Sequence, residues 1–271
     1  MGVSVAELLR LPGIEPVDAR ALLRAALGAS DAHLAAHPGQ TPTEHQRERY
    51  LAWVERRRAG EPIAYLTGER EFYSLAFMIT PAVLIPRPET ELLVELALER
   101  IPADAPCRVL DLATGSGCVS IAIARQRPRA RVVATDIDRM ALELARVNAR
   151  RNAADNVEFV ESDWFGALGA ARFDVIVANP PYIAVGDPHL DEGDLRFEPR
   201  RALVAGPDGL ECIGPIAVQA HAHLVGDGWL LFEHGHDQAA RCRALLERIG
   251  FLEIASWRDL ASIERMSGGR V

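Results

Sequence analysis

Short apolar runs that alternate with longer helical segments constrain the fold of this chain more than any other feature. Beyond residue 107 the runs have the length of buried strands, and the segments between them have helical periodicity. The predicted strands are 108–113, 131–136, 157–160, 173–178 and 229–233, and the predicted helices are 119–127, 139–151, 209–225 and 241–249. Residues 251–257 and the C-terminal tail are expected to supply final strands. Continuous apolar strands separated by helices favour a parallel sheet with helices on both faces.

Residues 1–70 predict a small helical bundle ahead of that sheet. Ser4 and Glu7 have the spacing of a capping box, and Gly28 ends an alanine- and leucine-rich helix over 17–27. A further helix is predicted over 43–59. This part of the chain is therefore expected to form a helical domain of its own.

The segment 71–86 predicts a β-hairpin that links the helical domain to the sheet domain. Its strand-like runs are 72–73, 77–79 and 83–85. Pro88 follows at the first turn of a predicted helix over 89–100. The second domain is therefore expected to span 87–271.

Composition excludes several classes of chemistry. All 30 basic residues are arginine, and the sequence contains no lysine. The chain therefore cannot be a Schiff-base enzyme or carry a Walker-type phosphate loop or a kinase-type lysine. The four cysteines are far apart, with no Cys-x-x-Cys pair, so no metal site is expected. The formal net charge of −8 argues against loose attachment to a nucleic-acid backbone.

Targeting signals are not evident in the sequence. No apolar run approaches the roughly 18 residues that can span a bilayer. The N-terminal residues lack a basic stretch ahead of an apolar one, which a secretory signal would need. We therefore expect a cytoplasmic protein that does not enter a membrane.

A glycine-containing turn, Asp111 to Gly117, lies between the first predicted strand of the sheet and the helix after it. Glycines there let the backbone approach a ligand closely, and the helix N-terminus adds positive potential. Asp136 ends the second predicted strand, where an acidic residue can bind two ribose hydroxyls. The turn and this carboxylate together indicate a nucleoside cofactor.

The residues of the turn favour S-adenosylmethionine over a nicotinamide dinucleotide. A pyrophosphate needs a third glycine, and Ser120 stands at that position. Asp111 would repel a pyrophosphate, whereas it suits the ammonium end of S-adenosylmethionine. Asp163 and Trp164, after the third predicted strand, can supply an acceptor and an apolar surface for the adenine. Trp164 is also compatible with simple core packing.

Asn179-Pro180-Pro181-Tyr182 directly follows the fourth predicted strand. The prolines remove two amide donors and keep the backbone extended, so the turn presents carbonyl oxygens and one carboxamide. Tyr182 adds a flat face that suits a planar nitrogen, either of a carboxamide or of the exocyclic amine of a base. Such a turn can also do no more than close a buried strand. Its place beside the predicted cofactor, at the carboxyl ends of parallel strands, indicates a site that methylates an NH2 group.

A carboxamide substrate fits this turn without a dedicated base. Asn179 Oδ1 and the Pro180 carbonyl can each accept one N–H of the substrate, which orients the nitrogen lone pair and stabilises the positive charge that grows there. The methylated nitrogen is then acidic enough to lose its proton. Asn179, Pro180 and Tyr182 are therefore the candidate catalytic residues.

Several segments carry a resemblance to a known family. They are 61–68, 85–91, 111–117, 179–182, 196–199 and 228–235. With them the chain resembles, over nearly its whole length, the HemK/PrmC family of peptide chain release factor N5-glutamine methyltransferases. Asn-Pro-Pro-Tyr is shared with adenine N6-methyltransferases. The Pro-Arg-Pro-Glu-Thr segment and the helical N-terminal part are more specific to the resembled family.

This resemblance implies an α/β fold with a Rossmann-like class I S-adenosylmethionine-dependent methyltransferase domain on a mostly parallel seven-stranded sheet. It implies that a small N-terminal helical bundle and a linking β-hairpin precede that domain. The implied reaction is methylation of the glutamine in the Gly-Gly-Gln motif of class 1 release factors, which the helical domain would dock. A monomer without stable binding to nucleic acid is expected.

The resemblance also implies roles for individual residues. By the resemblance, cofactor contacts are expected from Thr114, Gly115, Ser116, Gly117, Asp136, Trp164 and Asn179. Asp111, Ala113 and Asp163 are also expected to contact the cofactor, because they lie at the ends of the predicted strands. The substrate glutamine is expected at Asn179, Pro180, Pro181 and Tyr182, with Arg87 bordering the site. Family members usually have glycine where this chain has Ala113. We expect a small backbone shift there rather than loss of cofactor binding.

Three other functions stay open at this point. They are methylation of a glutamine in a ribosomal protein, N6-methylation of adenine in DNA or RNA, and a non-catalytic adaptor that retains a nucleoside-binding fold. The negative net charge and the lack of an evident base-recognition domain weigh against the nucleic-acid substrate. The intact turn at Asn179 weighs against the adaptor.

Overall fold

The structure, a computed structural model, describes residues 2–271 of the chain. These residues divide into two compact units, one formed by residues up to 69 together with 191–197, the other by 70–190 and 198–271. The predicted domain boundaries place 191–197 in the second domain. The segment 191–197 has the composition of a polar loop, and nothing in that composition relates it to the N-terminal residues.

Helices form the first unit. They are α1 (Val5–Leu8), α2 (Pro16–Leu27), α3 (Asp31–Ala36), α4 (Glu44–Arg58) and α5 (Ile63–Thr67), with a 3-10 turn at Leu195–Phe197. Ser4 and Glu7 form the predicted capping box, and Gly28 ends α2 in the left-handed conformation. The helix predicted over 43–59 is α4, with Thr43 as its N-cap. These predictions are confirmed. They could be made from the sequence because caps and stop signals act within one turn of the helix.

The core of the helical unit contains the apolar faces of these helices. Leu22, Leu23 and Tyr50 are fully buried in it, and the Tyr50 hydroxyl donates to the Leu8 carbonyl at 3.0 Å. Arg57, near the end of α4, donates to Asp18 at 2.7 Å and to Asp194 at 3.0 Å. One half-buried guanidinium therefore bridges α2 and the distant segment 191–197.

The hairpin is shorter than the sequence predicts. Its strands are β1 (Glu69–Phe72) and β2 (Leu75–Met78). Tyr73 and Ser74 form the connection with φ values of 52° and 59°, and positive φ at both residues is what a tight two-residue hairpin turn needs. The third predicted run, 83–85, is not a strand. Val83 and Ile85 are buried by side-chain packing, and the Ile85 N–H donates to the Glu198 carboxylate at 3.0 Å instead of to a neighbouring strand.

Within the described residues, seven strands form the main sheet of the second unit. They are β3 (Cys107–Leu112), β4 (Ala130–Asp136), β5 (Val157–Glu161), β6 (Phe173–Ala178), β7 (Leu224–Glu233), β8 (Leu252–Arg258) and β9 (Glu264–Arg270). Their order is β5-β4-β3-β6-β7-β9-β8, with β3 to β7 parallel and β9 antiparallel to both its neighbours. The predicted α/β fold with a mostly parallel seven-stranded sheet is confirmed.

Helices connect and cover these strands. They are α6 (Glu91–Arg100), α7 (Cys118–Gln126), α8 (Arg139–Arg151), α9 (Ile213–His223) and α10 (Ala239–Ile249), with 3-10 turns at Pro88–Thr90, Pro188–Asp191 and Arg200–Ala202. Leu110, Ile176 and Leu230 of the central strands share one core cluster with α9 and α10. The residues that alternate with them, such as Val109 and Val177, are also fully buried, and α6 and α7 contact these strands as well. The continuous apolar runs of the sequence reflect this burial on two faces.

Strand β7 begins five residues before its predicted start at 229. The prediction was late because the sequence around the first residues of the strand resembles a turn. Gly226-Asp227-Gly228 lies inside the strand, with Asp227 at a φ of 68°. Leu224 pairs with Phe173, and the register shifts before Trp229 pairs with Val175. The turn-like residues therefore form an irregularity within one strand, and the preceding helix α9 ends at His223 rather than 225.

Asn148, on α8, holds the hairpin against the turn that follows β3. Its Oδ1 accepts the Met78 N–H at 2.7 Å, and its Nδ2 donates to the Met78 carbonyl at 3.0 Å and to the Ser116 carbonyl at 2.9 Å. The side chain is fully buried. A single carboxamide thus satisfies polar backbone atoms from two separate segments.

We predict that Asn148→Ala lowers the free energy of unfolding by about 1–3 kcal/mol, because it leaves the Ser116 carbonyl and the partly buried backbone N–H and carbonyl of Met78 without their side-chain partner. Urea denaturation followed by tryptophan fluorescence measures the change. Arg150→Ala, at an exposed position of the same helix, is the matched control and should change stability by less than about 0.5 kcal/mol. Equal effects of the two substitutions would contradict the role of Asn148.

Candidate active site

The carboxyl ends of four parallel strands meet at one pocket. From β3 the chain proceeds to β4 and β5 on one side of the sheet, and then to β6 and β7 on the other, so the direction of winding reverses between β3 and β6. Ligands of open α/β sheets bind at such a reversal point. The pocket here has an empty volume of about 1170 Å³, a figure that includes space open to solvent.

Most of the predicted site residues line this pocket. They are Arg87, Asp111, Ala113, Thr114, Gly115, Ser116, Asp136, Asp163, Trp164, Asn179 and Pro181. Gly117, Pro180 and Tyr182 are not among the lining residues. The structure thus brings three separate motifs to one place, and the individual roles of these residues stay predictions.

The turn after β3 adopts left-handed conformations at alternate residues. Ala113, Gly115 and Gly117 have φ values of 55°, 55° and 82°. A Cβ at Gly117 would lie 2.9 Å from Ile121 Cδ1 and 3.1 Å from Ala145 Cβ, so the absent side chain lets α7 approach α8. Gly117 therefore serves the packing behind the turn. Alanine at position 113 is strained because its backbone is in the left-handed conformation, and the sequence did not reveal this cause.

Asp111 is buried beneath this turn and is 1% exposed. Its Oδ2 accepts the Thr114 hydroxyl at 2.5 Å and the Ser120 N–H at 3.2 Å. Burial raises the pKa of Asp111 to about 7, and the hydrogen bonds from Thr114 and Ser120 oppose that shift. The site therefore contains a carboxyl group that a bound cation would convert fully to its charged form.

Asp136, at the end of β4, connects the turn to the next strand. Its Oδ2 accepts the Gly115 N–H at 2.9 Å and its Oδ1 accepts the Asp138 N–H at 2.9 Å. Burial raises the pKa of Asp136 above its usual value. Each carboxylate oxygen keeps one further lone pair for a ligand hydroxyl.

Trp164 has a place both in the core and in the pocket lining. Its φ is 46°, and the Ser162 hydroxyl stabilises this turn by donating to the Trp164 carbonyl at 2.8 Å. The indole packs against the main core cluster and also lines the pocket. Asp163 beside it is exposed at the pocket edge.

The turn at Asn179 is supported from behind by residues distant in sequence. Ile183 pairs with the segment 203–205, and Gln238 donates to the Tyr182 carbonyl at 3.0 Å. A Cβ at Gly209 would lie 2.4 Å from that same carbonyl oxygen, so glycine is needed there. The position of the turn is therefore set by the loop that follows it and by Gln238 at the start of α10.

Asn179 belongs to a chain of hydrogen bonds that sequence analysis missed. Its Nδ2 donates to the Thr90 hydroxyl at 3.2 Å, and Thr90 donates to Glu233 Oε2 at 2.7 Å. The Tyr182 hydroxyl donates to the other carboxylate oxygen, Oε1, at 2.9 Å. Burial raises the pKa of Glu233 to about 7 and, together with the nearby Glu233 carboxylate, raises the pKa of Tyr182 well above 10. The sequence signal that could have identified Glu233 is its position as an acidic residue at the end of the apolar run 229–232.

Arg87 is held at the pocket by another buried acid. Its guanidinium forms an ion pair with Glu198, whose carboxylate also accepts the Ile85 N–H at 3.0 Å. The Glu198 side chain is fully buried, whereas 23% of the Arg87 side chain is exposed. Arg87 was predicted to border the site, but the sequence gives no sign that Glu198 pairs with it, because 111 residues separate the two.

Among residues 2–271 no group of three or more His, Cys, Asp or Glu side chains could hold a metal ion. In the same described range no helix is both long and apolar enough to cross a membrane.

Family models match both parts of the chain. Residues 89–191 match the methyltransferase small domain, and residues 5–68 match the PrmC N-terminal domain. A methyltransferase from Pyrococcus furiosus has the same fold, with a TM-score of 0.54 at 19% identity, covering 81% of this chain and 96% of that chain. The ribosomal protein L11 methylase of Lactobacillus delbrueckii subsp. bulgaricus gives 0.51 at 23% identity, covering 71% and 82%. At such identities these likenesses show the fold alone.

Much greater similarity links the chain to proteins named release factor glutamine methyltransferase. The Burkholderia pseudomallei protein is 53% identical over 274 residues, covering 99% of this chain and 96% of that protein. The Escherichia coli protein is 44% identical over 253 residues, covering 93% and 91%. The sheet, the turn after β3 and the pocket define an S-adenosylmethionine-dependent methyltransferase of the Rossmann-like class. Within that class, the chain belongs to the family of release factor glutamine methyltransferases.

The predicted contact between Asp111 and the ammonium group of the cofactor has a pH dependence. Because the pKa of Asp111 is raised to about 7, part of the carboxyl is protonated at neutral pH, and a cation binds its charged form. We expect affinity for S-adenosylmethionine to increase by up to about tenfold per unit as pH rises from about 6 to about 7, below the titration of the ligand amino group. Isothermal titration calorimetry measures this dependence.

Asp111→Asn provides the comparison for that titration. The variant lacks the titrating carboxyl, so it should bind S-adenosylmethionine more weakly and with little change over the same pH range. A variant that retains the pH dependence of the native protein would show that another group is responsible.

Ala113→Gly should stabilise the protein, by about 0.5–1 kcal/mol, because the left-handed conformation strains alanine by about 1–2 kcal/mol and glycine loses only part of that gain as chain entropy. Thermal or urea unfolding measures the difference. Ala244→Gly, at an exposed position inside α10, is the matched control and should destabilise by about 1 kcal/mol. A loss of stability at both positions would contradict the strain at Ala113.

Proposed function

We propose that this enzyme transfers a methyl group to the side-chain amide nitrogen (N5) of the glutamine in the Gly-Gly-Gln motif of class 1 peptide chain release factors, and so modulates translation termination. The observation that carries the proposal is the Asn179 carboxamide, oriented by Thr90 at a pocket suited to S-adenosylmethionine. Relatives named for this reaction match the chain almost throughout. Release factor is therefore the substrate to test first.

The pocket residues fit S-adenosylmethionine, which when bound supplies an electrophilic methyl group on a sulfonium. Asp111 would face its ammonium group, with Ala113 to Gly117 forming the turn around its amino-acid part. Asp136 would accept from the ribose hydroxyls. Asp163 and Trp164 would contact the adenine. The observations that support this assignment are the two buried carboxylates beside a turn whose backbone can approach a ligand closely.

Two oxygen atoms of the Asn179 turn would hold the substrate carboxamide. Across the described residues, neither Asn179 Oδ1 nor the Pro180 carbonyl takes part in a hydrogen bond within the protein. Each can accept one N–H of the substrate, which directs the nitrogen lone pair away from these acceptors and stabilises the positive charge that grows on nitrogen. Pro181 and the face of Tyr182 would flank the planar group, and Arg87 would border it.

No general base is needed in this scheme. An amide nitrogen that carries a fourth substituent has lost its resonance with the carbonyl, so its N–H bonds are strongly acidic. The Pro180 carbonyl and Asn179 Oδ1 keep those protons hydrogen-bonded until one leaves to solvent. The products would then be a neutral secondary amide and S-adenosylhomocysteine, the thioether that remains when S-adenosylmethionine gives up its methyl group.

The division of labour between domains is part of the proposal. Residues 1–70 would dock the release factor, 71–86 would link the domains as a hairpin, and 87–271 would carry out the transfer. The match of residues 5–68 to a domain model specific to this family supports a dedicated role for the helical part. We further propose a cytoplasmic monomer that binds no nucleic acid stably, which the net charge of −8 supports.

Isotope labelling distinguishes the substrates. The enzyme is incubated with labelled S-adenosylmethionine and release factor, ribosomal protein or DNA, and the label is located by mass spectrometry. We expect one methyl group on the Gly-Gly-Gln glutamine and at least an approximately 100-fold lower kcat for Asn179→Ala, because that variant loses an acceptor for the developing charge.

Two controls accompany this measurement. Gln219→Ala removes an exposed carboxamide from α9 and should leave kcat unchanged. A release factor with Gln→Glu in its motif has no NH2 group and should take up no label. Label on adenine or on a ribosomal protein alone would replace the proposed substrate, and no transfer to any of the three would favour an adaptor.

A further inference from the structure

The buried carboxylate of Glu233 contacts two side chains that support the Asn179 turn. Glu233 ends β7, next to β6, and the strands pair Phe232 with Ala178, the residue before Asn179. Glu233 is fully buried and Thr90 is 2% exposed, so water does not compete for their hydrogen bonds. The two carboxylate oxygens are 2.7 Å from the Thr90 hydroxyl and 2.9 Å from the Tyr182 hydroxyl.

The direction of each hydrogen bond follows from the chemistry of the groups. The ionised carboxylate of Glu233 only accepts, so in that form both hydroxyl protons point toward Glu233. Thr90 has a single proton, and once it is directed to Glu233 the oxygen can only accept from a third group. That third group is Asn179, 3.2 Å away.

Asn179 must therefore turn its NH2 group toward Thr90. The two ends of a carboxamide have nearly the same shape, so packing alone does not distinguish the orientation with Oδ1 toward the substrate from the reverse one. The reverse orientation would present two N–H donors to the NH2 group of the substrate. A donor facing a donor removes the acceptor that the reaction uses.

We propose that Glu233, acting through Thr90, is the positioning residue that fixes the orientation of the Asn179 carboxamide and so keeps Oδ1 available to the substrate amide. The inference rests on the proposed methylation of a carboxamide at Asn179. Glu233 is not among the residues that line the pocket. Its contribution is the fixed direction of two successive hydrogen bonds.

Glu233→Gln tests the direction of the bonds with almost no change in shape. A glutamine at this position has its own NH2 group, which can donate to Thr90. The Thr90 proton is then released toward Asn179, whose carboxamide can reverse. We expect kcat for release factor to fall by about 10- to 100-fold, with the KM for release factor and the Kd for S-adenosylmethionine changed less than about twofold.

Thr90 supplies a second, independent pair of variants. Thr90→Val removes the hydroxyl with little change in shape and should lower kcat as Glu233→Gln does. Thr90→Ser keeps the hydroxyl and should restore most of the native kcat. Because the two residues act in series, the double variant with Glu233→Gln and Thr90→Val should be little worse than either single one. Glu247→Gln, at an exposed position of α10, is the control for the carboxylate-to-carboxamide change.

A spectroscopic measurement observes the orientation without any substrate. In protein with labelled asparagine, the Asn179 side-chain NH2 should show a nuclear Overhauser effect to the Thr90 methyl group. This signal should weaken or vanish in Glu233→Gln and persist in Glu247→Gln.

These results separate the two proposals. Native protein that shows the Overhauser effect but methylates no release factor contradicts the proposed substrate and leaves the positioning role supported. Native kcat in Glu233→Gln and Thr90→Val, equal loss in Thr90→Ser and Thr90→Val, or an unchanged Overhauser effect in Glu233→Gln would each overturn the positioning role. If Glu233→Gln does not fold, the comparison of Thr90→Ser with Thr90→Val decides the outcome.

Discussion

The parallel pairing of β3 with β4 on one side and β6 on the other is the constraint on which the site depends. Leu112 pairs with Thr135 and with Ala178, so the residues that follow these strands leave the sheet at the same edge. The turn at Ala113, the carboxylate of Asp136 and the carboxamide of Asn179 become neighbours for this reason alone. A slip of one residue in β3 would turn Asp111 to the opposite face of the sheet.

Two buried carboxyl groups, one on each side of the reversal point, give the site its chemical character. Asp111 and Glu233 both have pKa values raised to about 7 by burial, and both accept hydrogen bonds from threonine hydroxyls. Asp111 lines the pocket, where a cation can offset its desolvation. Glu233 lies behind the pocket wall, where the hydroxyl groups of Thr90 and Tyr182 offset its desolvation instead. We thus propose that a buried carboxyl group binds a ligand in one place and orients side chains in the other.

Sequence analysis anticipated the features that depend on adjacent residues. The capping box at Ser4 and the stop at Gly28 arise from interactions within a few residues. The central strands and the turn after β3 are recognisable because each has a local sequence pattern, an apolar run or a pair of glycines. The errors have the opposite origin. Residues 83–85 have the pattern of a strand but no partner strand reaches them, and Gly226-Asp227-Gly228 has the composition of a turn but is absorbed as an irregularity of β7. In both cases pairing with distant strands decided the structure.

The sequence by itself determined the order of strands and helices, the three motifs of the site and the family to which the chain belongs, because periodicity and motif chemistry are local properties. Tertiary structure alone decided which side chains orient those motifs. Thr90 and Glu233 are 143 residues apart and Met78 and Asn148 are 70 apart, and no spacing rule relates them. Their hydrogen bonds form only once the sheet has brought the segments together, because a hydrogen bond depends on distance and direction in space rather than on position along the chain.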